Sequence, residues 1–85
     1  MRREKRPSLV VTFPTTAADM AAEALCANKG LPGRMIPVPG EISAGCGLAW
    51  KAGVGDRDAL ERAFSQADVP VEAMTVVELL EFVRD

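Results

Sequence analysis

The fold class is indicated most clearly by residues 8–30, which read SLVVTFPTTAADMAAEALCANKG. Residues 8–13 are rich in β-branched side chains and stop at a proline, a pattern that predicts a strand. Thr15 or Thr16 can cap a helix whose predicted end is Gly30, because glycine readily takes the left-handed conformation that ends helices. A strand that leads directly into a helix is the first half of a strand–helix–strand unit.

The rest of the chain supplies the other half and a second unit. The predicted elements beyond Gly30 are a strand at 34–38, a strand at 48–52, a helix from Asp56 or Asp58 to about Ala67, a strand at 72–78 and a short helical tail at 79–85. Because strand–helix–strand units cross over right-handed, the β-α-β-β-α-β order favours an antiparallel sheet with both helices on one face. We therefore predict an α+β fold of the ferredoxin-like kind.

The Ala-rich composition of the first helix leaves its buried face open. One apolar stripe consists of Ala17, Met20, Ala21, Ala24 and Leu25, and the other consists of Ala18, Ala22, Leu25 and Cys26. We interpret Met20, Met35 and Met74 as core fillers. Trp50 is interpreted as a core or partly covered residue.

Basic residues crowd the N-terminus of an otherwise acidic chain. Four of the first six residues are Lys or Arg, whereas the remainder of the 85-residue chain has 6 basic and 11 acidic residues. We interpret residues 1–7 as a flexible basic tail and residues 8–85 as a single α+β domain. The acidic remainder is a poor electrostatic match for nucleic acid, which we do not expect as a partner.

The sequence has no run of about 18 apolar residues, so we expect no membrane span. The basic start also lacks the ordered apolar region and small-residue cleavage site of a secretory signal. We therefore expect a cytoplasmic protein, in a compartment that keeps thiols reduced.

The chain has two cysteines and no histidine. This composition excludes a Cys–His dyad, a Ser–His–Asp triad and the usual zinc ligand sets. Only carboxylates could join two thiolates at a metal, so we predict no metal site. A core of this size also leaves little room for a deep cavity, and we predict no cofactor.

The segment with the most chemistry is the loop between the second and third strands, PVPGEISAGCG at 37–47. Cys46 stands between Gly45 and Gly47, which remove side chains that would cover the sulfur. Glycines also permit positive φ, with which successive N–H groups can converge on an anion. A thiolate or persulfide is such an anion, so we predict a pKa for Cys46 below the free value of about 8.5.

Two neighbours in this loop act on the Cys46 thiol in opposite directions. Ser43 can donate a hydroxyl hydrogen bond or cap a short turn that ends near the cysteine. Glu41 disfavours a thiolate, because a nearby carboxylate repels the negative charge. The competing interpretation is a tight connection beside a small, half-buried cysteine. Cys26 is either a packing residue of the first helix or a resolving thiol that pairs with Cys46.

The second and third strands also carry cations. Pro37 places the second strand at an edge of the sheet, because proline cannot donate to a ladder. Arg34 and Lys51 would be neighbours if these two strands pair. They could bind an anionic ligand, although solvated charges are common at sheet edges.

Three stretches resemble the selenium/sulfur carrier-like proteins, a small bacterial and archaeal family. They are VTFPTT at 11–16, GLPGRMIPVP at 30–39 and EISAGCGLA at 41–49. With the second helix, the resemblance covers about residues 9–78. The proline-rich strand followed by Ile-Ser-x-x-Cys-Gly marks the family and is less specific about chemistry. Gly40 departs from the pattern, since the family often has a basic residue there, which weakens anion steering at that position.

The resemblance implies that Cys46 holds sulfur or selenium as a persulfide or selenopersulfide. It further implies a donor of the cysteine desulfurase or selenocysteine lyase type and an acceptor protein. A carrier is favoured over an enzyme with its own turnover, because the donor supplies activated chalcogen and no general base is needed. The choice between sulfur and selenium stays open, as does the formation of a homodimer.

Two other functions stay open beside the carrier. A non-catalytic ferredoxin-like module would bind a protein partner or a small ligand without using Cys46. A small redox protein would use Cys26 and Cys46 as a pair, which requires their Cα atoms to approach within about 7 Å.

Overall fold

The computed structural model describes residues 2–40, 42 and 47–83, apart from the side chains of 81–83. The elements are β1 (Arg2–Thr12), α1 (Thr16–Lys29), β2 (Arg34–Pro37), β3 (Leu48–Ala52), a 3₁₀ turn (Val54–Asp56), α2 (Arg57–Gln66) and β4 (Ala73–Val83). The strands form a sheet in the order β2-β3-β1-β4, and each neighbouring pair is antiparallel. The predicted α+β class, with a four-stranded antiparallel sheet and two helices, is confirmed.

β1 and β4 are the longest strands and pair with each other along their whole length. β3, in contrast, pairs with β1 only from Leu9 to Thr12. Residues 2–7 of β1 and 78–83 of β4 therefore form a two-stranded ribbon beyond the end of β3.

The ribbon includes both ends of the described chain. The segment predicted as a helical tail at 79–85 is a strand as far as Val83, because its backbone pairs with residues 2–6, so this prediction is wrong. The basic segment 1–7, predicted as a tail ahead of the domain, contributes backbone to the sheet from Arg2 onward. Local pattern does not reveal this pairing, because the two partners lie at opposite ends of the sequence.

Local capping rules hold at both ends of α1. The Thr15 hydroxyl accepts a hydrogen bond from the Ala18 N–H at 3.1 Å, which makes Thr15 the cap. Gly30 follows the helix with a φ of 61°, and the Leu31 N–H donates to the Cys26 carbonyl at 3.0 Å. The predicted start and end of this helix are therefore confirmed.

One core cluster joins residues of the sheet and of both helices. Its buried members are Leu9, Val11 and Phe13 at β1, Trp50 and Ala52 of β3, Ala18, Ala22 and Cys26 of α1, and Leu60 and Phe64 of α2. The rings of Phe13 and Phe64 meet edge to face, with their centroids 5.7 Å apart. Val10 and Thr12 alternate with the core residues and are buried too. The central strand is thus closed to water on both faces.

Of the two stripes left open for α1, the stripe that includes Cys26 is the buried one. Met20 belongs to the other stripe and is 64% exposed, so its prediction as a core filler is wrong. The hydrophobic pattern of the sequence could not distinguish the two stripes, because alanines occur on both faces of this helix. Met35 and Met74 pack against the core as predicted.

Candidate functional site

The predicted reactive loop leaves the sheet between β2 and β3. The last residue pair of these strands is Pro37↔Leu48. Beyond it, the Val38 N–H donates to the Gly47 carbonyl at 3.1 Å, which extends the pairing by one step. Val38 and Gly47 therefore form the mouth of the loop, and Cys46 directly precedes Gly47 in the sequence.

Four of the predicted site residues lie outside the described residues. They are Glu41, Ser43, Gly45 and Cys46. The exposure of the Cys46 thiol, its lowered pKa and its hydrogen-bond donors therefore stay predictions. The described part of the loop begins with a turn, in which the Ile42 N–H donates to the Pro39 carbonyl at 2.9 Å.

Gly47 is a predicted loop residue that the structure does describe. It is exposed, and a Cβ atom built on it would meet no described atom within 4 Å. Packing therefore does not require a glycine at this position.

The opposite end of the β2–β3 pair is closed by Trp50. Its indole Nε1–H donates to the Pro32 carbonyl at 2.9 Å, and its side chain is 6% exposed. Gly33 has a φ of 114° and lies so close that a Cβ atom there would overlap the indole and the Lys51 carbonyl. Glycine is required at this position by conformation and by contact. The contact fixes the start of β2 on β3 and so sets the register with which both strands reach the loop.

Cys26 lies beneath this closed end of the strand pair. It is 1% exposed, belongs to the core and lines a groove together with Gly33 and Trp50. Burial raises the pKa of the Cys26 thiol to about 11, which keeps it protonated and weakly nucleophilic near neutral pH. These findings favour the packing role of Cys26, and its pairing with Cys46 stays a prediction.

The cations of β2 and β3 do become neighbours. Arg34 and Lys51 are cross-strand partners, as the sequence predicts for paired strands. Arg6 joins them at one cleft, which sequence analysis missed because it assigned this residue to a tail. The sequence carries no local signal for this, because the β-branched run starts after Pro7 and Arg6 joins the sheet through its pairing with Leu79.

Metal-ligand clusters and membrane-spanning helices are both absent from the described part of the chain. It contains no group of three Cys, Asp or Glu side chains placed to hold a metal ion. Neither of its helices combines the length and the apolar character needed to cross a bilayer.

The chain matches one family model, which carries the description "Putative Se/S carrier protein-like". The match covers residues 8–75, a range that contains Cys46, both helices and the mouth of the loop. The ribbon residues 2–7 and 78–83 lie outside it. No curated protein and no solved structure matches the chain.

Proposed function

The chain belongs to the Se/S carrier protein-like family, and we propose on this premise that it carries sulfur or selenium on Cys46 as a persulfide or selenopersulfide. The observation that carries this proposal is the family match over residues 8–75, which includes the Gly-Cys-Gly loop. The chain would thus carry the atom between partner proteins and would have no turnover of its own. Its setting is the cytoplasm, where a carrier thiol stays reduced.

Loading is a thiol exchange at the outer atom of a donor persulfide. The Cys46 thiolate attacks the terminal sulfur or selenium of a persulfide on a donor of the cysteine desulfurase or selenocysteine lyase type. The new bond joins Cys46 to that atom, the donor's own sulfur–chalcogen bond breaks, and the donor leaves as a thiolate. An acceptor protein takes the chalcogen by the same exchange, so no external oxidant or reductant is consumed.

The geometry of the loop mouth supports this assignment. β2 and β3 hold Val38 and Gly47 together through a 3.1 Å hydrogen bond. Consecutive Cα atoms lie about 3.8 Å apart, so the residue before Gly47 is tied closely to the end of a paired sheet. A reactive group benefits from attachment to such a fixed element. Among the described residues nothing crowds Gly47, which is exposed, and this suits the approach of a donor protein.

The other cysteine is a poor competitor for the transferred atom. Cys26 lies in the core, and burial raises the pKa of its thiol to about 11. Its thiolate fraction near neutral pH is therefore very small, and the nucleophile in exchange is the thiolate. The absence of histidine from the chain also fits a carrier, because the donor supplies the activated atom.

The test is transfer of labelled sulfur from a cysteine desulfurase and its cysteine substrate to the purified chain. We expect mass spectrometry to find one added sulfur atom on Cys46 in the wild type and in Cys26→Ala. Cys46→Ser should show no adduct. Absence of the adduct from Cys46, or its appearance on Cys26 instead, would overturn the proposal. Selenium from a selenocysteine lyase gives the parallel experiment for the second element.

We also propose that the fold is ferredoxin-like. The order β-α-β-β-α-β supports it, as does the position of β3 between β1 and β2 in the sheet. Both helices contribute to one core cluster with alternate residues of β1 and β3, which further supports helices on a single face. A solution structure with the helices on opposite faces would contradict this assignment.

A second candidate function is a non-catalytic module that binds a protein or a small ligand. The observation that favours it is an apolar groove of about 320 Å³ between α2 and the start of β4. Phe64, Val69, Val71 and Met74 contribute its apolar wall. This function predicts that Cys46→Ser binds its partner as well as the wild type does, whereas the carrier function predicts loss of transfer.

A further inference from the structure

We propose that a basic cleft at the closed end of the β2–β3 pair binds the phosphate group of a small organic phosphate ester. The cleft has a volume of about 340 Å³. Arg6, Arg34 and Lys51 line it together with Ser8, and Gly33 and Gly53 lie in its wall. These three cations come from three adjacent strands and converge on one concave surface.

Strand register explains why these side chains meet. Lys51 pairs with Arg34 on one side and with Val10 on the other, so these three side chains share one face of the sheet. Ser8 and Arg6 lie two and four residues before Val10 in β1 and therefore point to that face as well. The core cluster occupies the opposite face. On this face Val10 and Ser8 are buried, whereas Arg6 and Arg34 are exposed and Lys51 is half-buried, so the cations are the groups that a ligand can reach.

The concavity arises because the strands end at different points. β3 ends at Ala52, which pairs with Leu9, whereas β1 and β4 continue to the end of the ribbon. Arg6 and Pro7 thus extend beyond the end of β3 and form one side of the cleft. Arg34 and Lys51 form the other side, and an anion between them would also meet the backbone of a strand edge.

The charge of the cleft is opposite to that of the molecule. The chain has a net charge of −2, yet no acidic residue is found among the described residues that line the cleft. Two carboxylates contact residues of the cleft lining. Glu4 lies 3.6 Å from the Arg6 guanidinium, and Asp56 accepts the Gly53 N–H at 2.9 Å. An anion must compete with Glu4 for Arg6, so we expect Arg6 to contribute less to binding than Arg34.

The residue types and the volume point to a phosphate ester. The planar guanidinium of Arg34 can donate two parallel hydrogen bonds to phosphate oxygens, and Lys51 adds a compact positive charge. A volume of about 340 Å³ lies within the range of small-molecule sites, roughly 300–1,000 Å³, and inorganic phosphate would fill little of it. Pro7, which is exposed and lines the cleft, provides apolar contact for the organic part of the ester.

This site is independent of the proposed carrier chemistry. Arg34↔Lys51 lies three residue pairs away from Pro37↔Leu48, where the loop begins. At about 3.4 Å per residue, the cleft lies roughly 10 Å along the strands from the pair Pro37↔Leu48 and about 14 Å from the loop mouth. Phosphate binding should therefore persist in Cys46→Ser, and the two proposals can fail separately.

The test is a titration of the full chain, followed by NMR and calorimetry at low ionic strength, where surface charges are least screened. The probes are ribose 5-phosphate, inorganic phosphate and ribose. We expect saturable binding of the ester, several-fold weaker binding of inorganic phosphate, and no binding of ribose. Arg34→Gln and Lys51→Gln should each weaken binding of the ester about tenfold, because each removes a charge-assisted contact.

Arg62→Gln is the matched control, because it removes the same charge from the exposed surface of α2. It should change the affinity less than twofold. Equal losses in Arg34→Gln and in the control, or the lack of saturable binding, would overturn the proposed site. Equal affinity for inorganic phosphate and the ester would overturn the ester assignment. If Arg34→Gln fails to fold, Arg34→Lys replaces it, and its loss of the paired donors should still weaken binding measurably.

Discussion

At one end of the β2–β3 pair Gly33 lies against the Trp50 indole, while at the other end a Cβ atom built on Gly47 would meet no described residue within 4 Å. Each end also has a cysteine, Cys26 beneath the closed end and Cys46 next to Gly47 in the sequence. The fold requires the first glycine and does not require the second by packing. Residues explained by packing belong to the scaffold, and a residue without such an explanation is a better candidate for function.

The largest effect that the comparison predicts comes from Gly33→Ala. A methyl group there would overlap the indole and the Lys51 carbonyl, and its φ of 114° strains any other residue. We expect a loss of about 3 kcal/mol in the free energy of unfolding, measured by urea denaturation.

The matched control is Gly30→Ala, because Gly30 also has a positive φ, 61°, but has open space around it. It should lose about 1 kcal/mol from conformation alone. If Gly33→Ala were no more destabilising than Gly30→Ala, the contact with Trp50 would not be what closes this end.

A second effect, of about 2–3 kcal/mol in total, concerns the buried thiol at the closed end. The pKa of Cys26 is about 11 in the folded chain and 9.0 in its ordinary state. The unfolded chain therefore releases this proton at lower pH than the folded chain does. The resulting stabilisation is present below pH 9 and is lost between pH 9 and about 11, by about 1.4 kcal/mol per pH unit.

Urea denaturation at about pH 8 and about pH 10 measures this loss, and Cys26→Ala is the reference that lacks the thiol. Groups other than Cys26 affect both proteins alike, so the difference between them isolates the thiol. An identical pH dependence in the two proteins would mean that the Cys26 thiol is not desolvated.

The smallest effect on stability is expected at the open end. Gly47→Ala should change the free energy of unfolding by less than about 0.5 kcal/mol, because a Cβ atom there meets open space. It should nevertheless slow the loading of Cys46 by a desulfurase, since the added methyl group belongs to the residue next to the attacking cysteine.

Denaturation and the rate of sulfur transfer, measured on the same variant, separate the two parts of this prediction. A destabilisation as large as that of Gly33→Ala would remove the contrast between the two ends. Unchanged stability together with unchanged loading would leave Gly47 without a role in transfer.

Much of the local structure could be predicted because its causes are local. Thr15 and Gly30 delimit α1 through hydrogen bonds and a backbone conformation that involve only neighbouring residues. Pro37 indicated an edge strand because it lacks an N–H, and β2 is indeed the outermost strand on its side. The same kind of reasoning identified Cys46 as the candidate thiol, from the two glycines beside it.

The wrong predictions share a different cause. Leu79–Val83 is apolar enough for a packed helix, yet it forms a strand because residues 2–6 offer it a backbone partner. Met20 is exposed because the sheet packs against the stripe of α1 that includes Cys26. In both cases the outcome depended on what lies opposite in space.

Interactions over a few residues were enough to predict the limits of α1, the α+β class and the edge position of β2. Contacts between separate elements are the cause of three other features. Trp50 packs against Gly33, burial desolvates the Cys26 thiol, and Arg6 lines one cleft with Arg34 and Lys51. These features join residues from separate elements. Strand register and packing determine which of these residues meet, and no short stretch of sequence contains both residues of such a contact.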